Sequence, residues 1–201
     1  MQVGKLVKRS LGVILIMSVV VVCLVGESFM EKRQAENLLR ALSQVEVGKT
    51  TLSQAREITS GFVHHRIHQT SGASGEDQFR YWNSFLSIVK LTPRTYVFVT
   101  LRYSDGVVVK KTMQYIEEPR CSAIISETVK LTPNETDHSL EESRHVYIGG
   151  NAPSPTFIMR IDDTAEIPST RRQLDWQVDL SCMTKIGGCR DPRKVLYGAL
   201  R

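Results

Sequence analysis

The chain has 201 residues with 26 lysines and arginines against 21 acidic residues, and its hydrophobic content of 41% is ordinary for a folded protein. Lys5, Lys8 and Arg9 precede every acidic residue, so the remainder carries a net charge of only +2 (23 − 21). Its charges of both signs are dispersed. The concentrated basic stripe of a duplex-binding domain is missing, and we expect no nucleic-acid partner.

An apolar segment near the N-terminus predicts a membrane anchor. Leu11 to Val25 is apolar or small apart from Ser18, and residues 10–29 are long enough as a helix to cross the hydrocarbon core. Basic residues precede the segment and Glu27 follows it. The positive-inside rule then predicts a single-pass protein of the inner (cell) membrane, with residues 1–9 cytoplasmic and residues 30–201 forming one extracytoplasmic, periplasmic-type domain. The membrane is thus the partner expected for residues 10–29.

A cleavable signal peptide is the alternative, because an apolar core of this length fits either kind of segment. Gly26-Glu27-Ser28 is the best match to the small residues that signal peptidase requires, and it is a poor one. Both interpretations export the domain.

Periodicity predicts two helices after the apolar segment. The first, Glu31–Val47, repeats apolar residues at three- and four-residue steps and ends at Gly48. The second, Leu52–Phe62, starts with the capping-box pair Thr51 and Gln54.

The turn between these helices has two possible interpretations. Gly48-Lys49-Thr50 imitates the end of a phosphate-binding loop, but Ser43 stands where that motif needs glycine and a helix replaces the preceding strand. The Gly-Lys-Thr-Thr turn between short helices also resembles the small lipoproteins of outer-membrane assembly. That resemblance covers only this helical pair, lacks the lipidated cysteine, and implies no function here.

From Phe79 the period changes to two, which predicts strands. These strands are Phe79–Thr92 (as one strand or a bent pair), Thr95–Tyr103, Val107–Tyr115, Ser122–Leu131, His145–Ile148, Thr156–Ile161 and Leu174–Cys182. Polar connections are expected at Gln69–Asp77, Pro133–Arg144 and Asp162–Arg172. Helices followed by strands favour an α+β domain with a mainly antiparallel sheet.

Two strand predictions are specific enough to test in detail. A three-residue loop, Ser104-Asp105-Gly106, would set Leu101 opposite Val109 and Val97 opposite Met113. The last strand would turn Leu174, Trp176, Val178 and Leu180 towards the core and Asp175, Gln177, Asp179 and Ser181 towards solvent. Replacement of Asp175 should then be nearly neutral.

His64, His65 and His68 form the histidine cluster of the chain. On a helix, His64 and His68 would share a face and could each offer a nitrogen to zinc, with His138, His145 or Asp77 as a third ligand. The glutamate of a zincin helix is missing, so a solvated helix end is the preferred interpretation. We expect no metal and no cofactor.

Other polar pairs predict no chemistry. Ser87 and Lys90 have the spacing of an acylating Ser–Lys pair, but on a strand residues three apart face opposite ways. Asp162-Asp163 and Asp175/Asp179 could be posed as paired carboxylates. A polar sheet surface explains them better.

The exported part contains Cys121, Cys182 and Cys189. Six residues including Gly187-Gly188 separate the last two, which favours a local disulfide in an oxidising compartment. The alternatives are free buried thiols, or a bridge from Cys121 to either of the other two.

Two functions remain open. The favoured one is a non-enzymatic binding or scaffold module, tethered beside the membrane, whose partner the sequence does not name. The alternative is a metal-dependent or thiol enzyme that uses the His64/His65/His68 cluster or Cys121.

Overall fold

The computed structural model describes residues 3–119, 121–129, 144–151, 156–189 and 191–200. Over these residues the chain forms helices α1 (Val3–Leu42), α2 (Leu52–Ile58), α3 (Ser84–Ile88) and α4 (Ser169–Asp175). Short 3-10 helices lie at Ser60–His65, Leu180–Met183, Pro192–Lys194 and Tyr197–Leu200. The predicted connection Pro133–Arg144 lies, except for its last residue, outside the described residues.

Seven strands form one sheet: β1 (Arg66–His68), β2 (Gly75–Trp82), β3 (Thr95–Ser104), β4 (Val107–Glu117), β5 (Cys121–Thr128), β6 (Arg144–Asn151) and β7 (Thr156–Thr164). Their order is β1-β2-β3-β4-β5-β7-β6. The β5–β7 pair is parallel and the other pairs are antiparallel. The predicted mixture of helices with a mainly antiparallel sheet is confirmed.

The predicted anchor and the first predicted helix are one continuous helix. α1 spans 40 residues without a break, or about 60 Å at 1.5 Å per residue. Its second half buries Ala35, Leu38, Leu39 and Leu42 against the sheet. The helix ends at Leu42 rather than at Val47, and a turn of irregular backbone leads to Gly48 at φ +81°.

α2 begins as the sequence predicts. Thr51 accepts a hydrogen bond from the backbone N–H of Gln54, and the Gln54 side chain accepts one from the backbone N–H of Thr51. This reciprocal pair satisfies two donors at the helix start. The α-helix ends at Ile58, earlier than Phe62, and continues as the first 3-10 helix.

The predicted hairpin exists, but its register is different. Its loop has two residues, Asp105 (φ 51°) and Gly106 (φ 76°), the positive-φ combination that matches strand twist. A bulge follows beside Arg102 and Tyr103. Leu101 therefore pairs with Lys111, and the predicted partner Val109 is wrong. Val97 likewise pairs with Tyr115 instead of Met113.

The predicted strand Leu174–Cys182 is wrong. Its first two residues end α4, and its last three lie in a 3-10 helix capped by Asp179, whose carboxylate accepts from the Ser181 N–H at 2.7 Å. Trp176 is buried as expected. Asp175, expected in solvent, is also buried.

Two further boundaries depart from expectation. The predicted strand Phe79–Thr92 stops at Trp82, where Asn83 and the short helix α3 take over. β7 runs through Asp162 and Asp163 to Thr164. The connection predicted at Asp162–Arg172 therefore begins only after Thr164.

One face of the sheet, here called the inner face, holds the core. α1 and the C-terminal segments cover it, and its buried side chains include the tyrosines Tyr81, Tyr103 and Tyr115. α1 runs along the strands: the Glu31 carboxylate lies 3.7 Å from Nδ1 of His65, which stacks on Tyr81 near the end of β2, whereas the Leu42 carbonyl accepts from Lys111. The apolar half of α1 therefore leaves the domain at the end of the sheet marked by Trp82.

Candidate functional site

The histidine cluster is divided between two elements. His64 and His65 end a 3-10 helix and His68 ends β1, so the helical spacing considered for a shared zinc face does not exist. His65 stacks on Tyr81 with ring centroids 4.3 Å apart and contacts Gln34 of α1. Among the described residues, no group of three or more His, Cys, Asp or Glu side chains is placed to hold a metal ion.

Of the other residues considered as ligands or nucleophiles, Asp77 and Cys121 are buried and His145 lies in β6. Asp77 is buried and accepts from Arg56 Nε at 3.2 Å. His138 lies outside the described residues. Cys121 is fully buried at the start of β5, on the inner face, where a dissolved substrate does not reach its thiol.

The predicted disulfide is present: Cys182 and Cys189 are bonded, with Cα atoms 5.3 Å apart. It closes the loop that contains Gly187 and Gly188, both at positive φ. Of the three possibilities that the sequence left open, the local bridge is the one the structure has.

Ser87 and Lys90 do not lie in the predicted strand. Ser87 lies in α3 rather than in a strand, and Lys90 follows the end of that helix at φ 59°. The expectation that the aspartate pairs lie on a polar surface is wrong for Asp162, Asp163 and Asp175, which are buried. Asp162 and Asp163 lie in β7, and the Asp162 carboxylate accepts a hydrogen bond from Arg160 Nε at 2.6 Å.

Asp163 belongs to a buried charge cluster that sequence reasoning missed. The cluster consists of Lys111 of β4, Glu127 of β5, Asp163 of β7 and Arg172 of α4, all buried. Three of these residues lie in one row across the sheet, because Lys111 pairs with Glu127 and Glu127 with Asp163. Fully ionised, the cluster has no net charge.

Lys111 joins the cluster to the end of α1. Its Nζ lies 2.9 Å from a carboxylate oxygen of Glu127 and donates to the carbonyl oxygens of Val45 at 2.8 Å and Leu42 at 3.3 Å. The last carbonyls of a helix have no partners within the helix and carry partial negative charge, so a cation is favourable there. Lys111 therefore fastens the C-terminal end of α1 to the sheet.

α4 closes the cluster from the other side. Arg172 contacts the second carboxylate oxygen of Glu127 and donates from Nε to the Ile167 carbonyl at 2.9 Å. The Trp176 ring faces Lys111, with Nζ 4.7 Å from the ring centroid, a cation–π distance. Glu127 is thus held between two cations that come from different elements.

Burial lowers the pKa of Lys111, and the nearby carboxylate of Glu127 opposes that shift. An amine with a lowered pKa can act as a base or nucleophile. Here its hydrogens point at two carbonyls and a carboxylate, which leaves the nitrogen no free approach. The arrangement suits a structural fastening better than catalysis.

One cavity borders the cluster and a second adjoins the first. The first, of about 100 Å³, is lined by Lys111, Glu127, Arg172 and Trp176 together with residues 43–46, which follow α1. The second, of about 530 Å³, lies between α1 and the C-terminal segment, and shares Trp176 with the first. The first has room for a few waters and not for a cofactor.

A sequence signal for the cluster existed. Lys111 and Glu127 occupy inward positions in strands that otherwise alternate, and they have opposite charge. Finding that they face each other requires the register between β4 and β5, which sequence alone does not supply.

Comparisons of the chain with protein-family models, with curated proteins and with solved structures find no match.

Proposed function

We propose that the chain is a single-pass membrane protein whose extracytoplasmic domain is a non-catalytic binding or scaffold module, held at a fixed orientation to the bilayer. The observation that carries the proposal is the continuity of α1. One uninterrupted helix contains both the apolar span and the core-packing stripe of the domain. A scaffold benefits from a fixed orientation of its domain relative to the bilayer, because its binding surface then faces one direction.

The two halves of α1 have opposite surroundings, which supports this division of roles. The large apolar side chains between Ile14 and Val22 are 44–71% exposed, as expected of a helix surface that contacts lipid. Among the described residues, α1 is the helix long and apolar enough to span a membrane. Burial inside the domain begins at Ser28. No spacer of irregular chain separates the two halves.

The charge cluster supports the scaffold interpretation as well. Lys111 binds the carbonyls at the far end of α1, so the helix is fastened at its C-terminal end as well as along its length. A domain fixed in this way follows every tilt of the anchor.

The thiol or metal enzyme remains the alternative class. It has less support, because the three histidines are divided between two elements and the Cys121 thiol is fully buried. A zinc assay on purified protein, with the His64→Ala variant as control, separates the two classes. One zinc per chain that the variant loses would favour the enzyme.

Topology tests the proposal directly. Full-length protein should stay with membranes through alkaline carbonate extraction, and a reporter fused after Arg201 should be active only outside the cytoplasm. Reversal of the charges at Lys5, Lys8 and Arg9 should reduce that export. Carbonate-soluble protein of reduced length would mean cleavage of the segment, and cytoplasmic reporter activity would contradict the topology.

A further inference from the structure

An exposed apolar patch lies at the end of the domain from which α1 departs. α3 packs against α1, and the turn after α3 carries Leu91. The disulfide-closed loop lies beside this turn, because the Gly187 N–H donates to the Leu91 carbonyl at 3.0 Å. The Cys189 N–H bonds the carboxylate of Glu117 at the end of β4, which places the same loop at the same end of the sheet.

Large apolar side chains here face solvent. Ile88 is 71% exposed and Ile186, at the tip of the disulfide-closed loop, is 77% exposed; Val89 and Leu91 are exposed beside them. Isolated exposed apolar residues are normal in soluble proteins, but a group of them on adjoining turns marks a contact surface. We call these four residues the rim patch.

Basic side chains accompany the rim patch. Lys90 lies between Val89 and Leu91, and Lys185 precedes Ile186; both are exposed. Arg94 and Glu118, whose backbones are hydrogen bonded at 2.9 Å, are exposed as well, so these four exposed side chains carry a charge of +2 (3 − 1). Apolar tips flanked by lysines suit the boundary between headgroups and acyl chains, because lysine keeps its charge in the headgroup layer.

We propose that the rim patch rests on the membrane surface and binds anionic phospholipid. This inference depends on the anchor proposed above. Residues 10–29 as a helix are about 30 Å long, equal to the hydrocarbon core, and the domain's own burial begins at Ser28. The domain therefore starts where the lipid ends, and α3 packs on α1. A patch at this end meets headgroups without any further motion.

The disulfide gains a role in this arrangement. It holds the two ends of a loop whose tip contains Lys185 and Ile186, and Ile186 is the most exposed of the four patch residues. A closed loop loses less conformational freedom when its tip enters the interface. The bridge thus presents one apolar side chain and one lysine to the lipid.

Depth measurements on full-length protein test the inference. A Cys23→Ser background leaves a buried thiol at Cys121 and the disulfide, so a thiol introduced as Ile186→Cys can be labelled selectively with an environment-sensitive fluorophore. Lys49→Cys is the matched control, since it is exposed in the turn at the opposite end of the domain. Both labelled proteins go into vesicles of phosphatidylethanolamine and phosphatidylglycerol that contain a quencher near the top of the acyl chain.

We expect quenching at position 186 several-fold stronger than at position 49, and weaker quenching at position 186 in vesicles of phosphatidylcholine alone. Equal, weak quenching at both positions in protein that floats with the vesicles would overturn the rim-patch inference and leave the anchor intact. Protein that does not float with vesicles would overturn the anchor itself. A label at position 186 that is shielded in native membranes but exposed in pure lipid would assign the patch to a protein instead.

Discussion

Replacement of Lys111 by methionine tests whether the charge cluster stabilises the fold. Methionine keeps the apolar length of the side chain but removes the cation that Glu127 and the Leu42 and Val45 carbonyls share. Loss of one partner from a buried ion pair costs about 3–5 kcal/mol, because the remaining charge stays desolvated. Arg172 still neutralises Glu127, so we expect about 3 kcal/mol, the low end.

Removal of the shared carboxylate should cost more. Glu127→Gln leaves two buried cations, Lys111 and Arg172, without the group that lies between them. We therefore expect about 5 kcal/mol for this variant. For a domain of this size, about 3 kcal/mol lowers the melting temperature by roughly 6–12 °C.

Denaturant unfolding of full-length protein in detergent measures both variants. Tryptophan fluorescence is the readout, because the Trp176 ring lies over Lys111. Lys110→Met is the matched control, since its side chain is half-buried on the opposite face of the same strand, and it should cost less than about 1 kcal/mol. A Lys111→Met protein as stable as its Lys110→Met counterpart would refute the idea that this lysine fastens α1.

Three further predictions concern other parts of the fold. Trp176→Ala should cost about 3–5 kcal/mol and Asp175→Ala about 1–3 kcal/mol by chemical unfolding. Leu174→Ala should cost less than either, because Leu174 is 36% exposed. Replacement of Cys182 and Cys189 by alanine should lower stability by roughly 2–3 kcal/mol and expose the intervening loop to protease, as read by mass mapping. Burial raises the pKa of all three inner-face tyrosines above the normal value near 10, so stability present below pH 10 should be lost as the pH rises further, together with the appearance of tyrosinate absorbance.

Local signals predicted much of the chain. The capping box at Thr51 and Gln54 operates as expected, because both bonds lie within one turn. The strands that became β3, β4, β5, β6 and β7 were located by alternation, although their limits shifted. The bridge between Cys182 and Cys189 followed from short spacing and glycine. Each of these features depends on residues close together in sequence.

The failed strand at Leu174–Cys182 shows where alternation misleads. Its aspartates form local contacts that a strand would not allow: Asp175 pairs with Arg171 one helical turn earlier at 3.3 Å, and Asp179 caps the following 3-10 helix. The Asp179 N–H bonds the Val195 carbonyl, a contact distant in sequence. Period two over nine residues does not separate these possibilities without the tertiary partner.

The charge cluster was missed for a related reason. The predicted hairpin register kept apolar residues opposite each other and so favoured Val109 as the partner of Leu101. The structure accepts Lys111 at that place because α1, β5 and α4 each bring a group that compensates its burial. No pairwise rule within the hairpin contains those three elements.

Lys111 and the rim patch act on opposite ends of the same stretch of helix. Glu31 and Gln34 contact His65 near the departure point of α1, and Lys111 holds the last carbonyl at Leu42, so the helix is fixed to the domain over about 16 Å. A rotation of the domain about the anchor would have to break both attachments. In the proposed topology, lipid contact by the rim patch adds a third attachment away from the helix axis. Two attachments along one axis leave rotation about that axis to be resisted by side-chain packing alone, and a third attachment away from it supplies direct resistance. The rim patch therefore mainly fixes the rotation of the domain about the membrane normal. It adds little to the strength of the attachment to the membrane, which the apolar half of α1 provides.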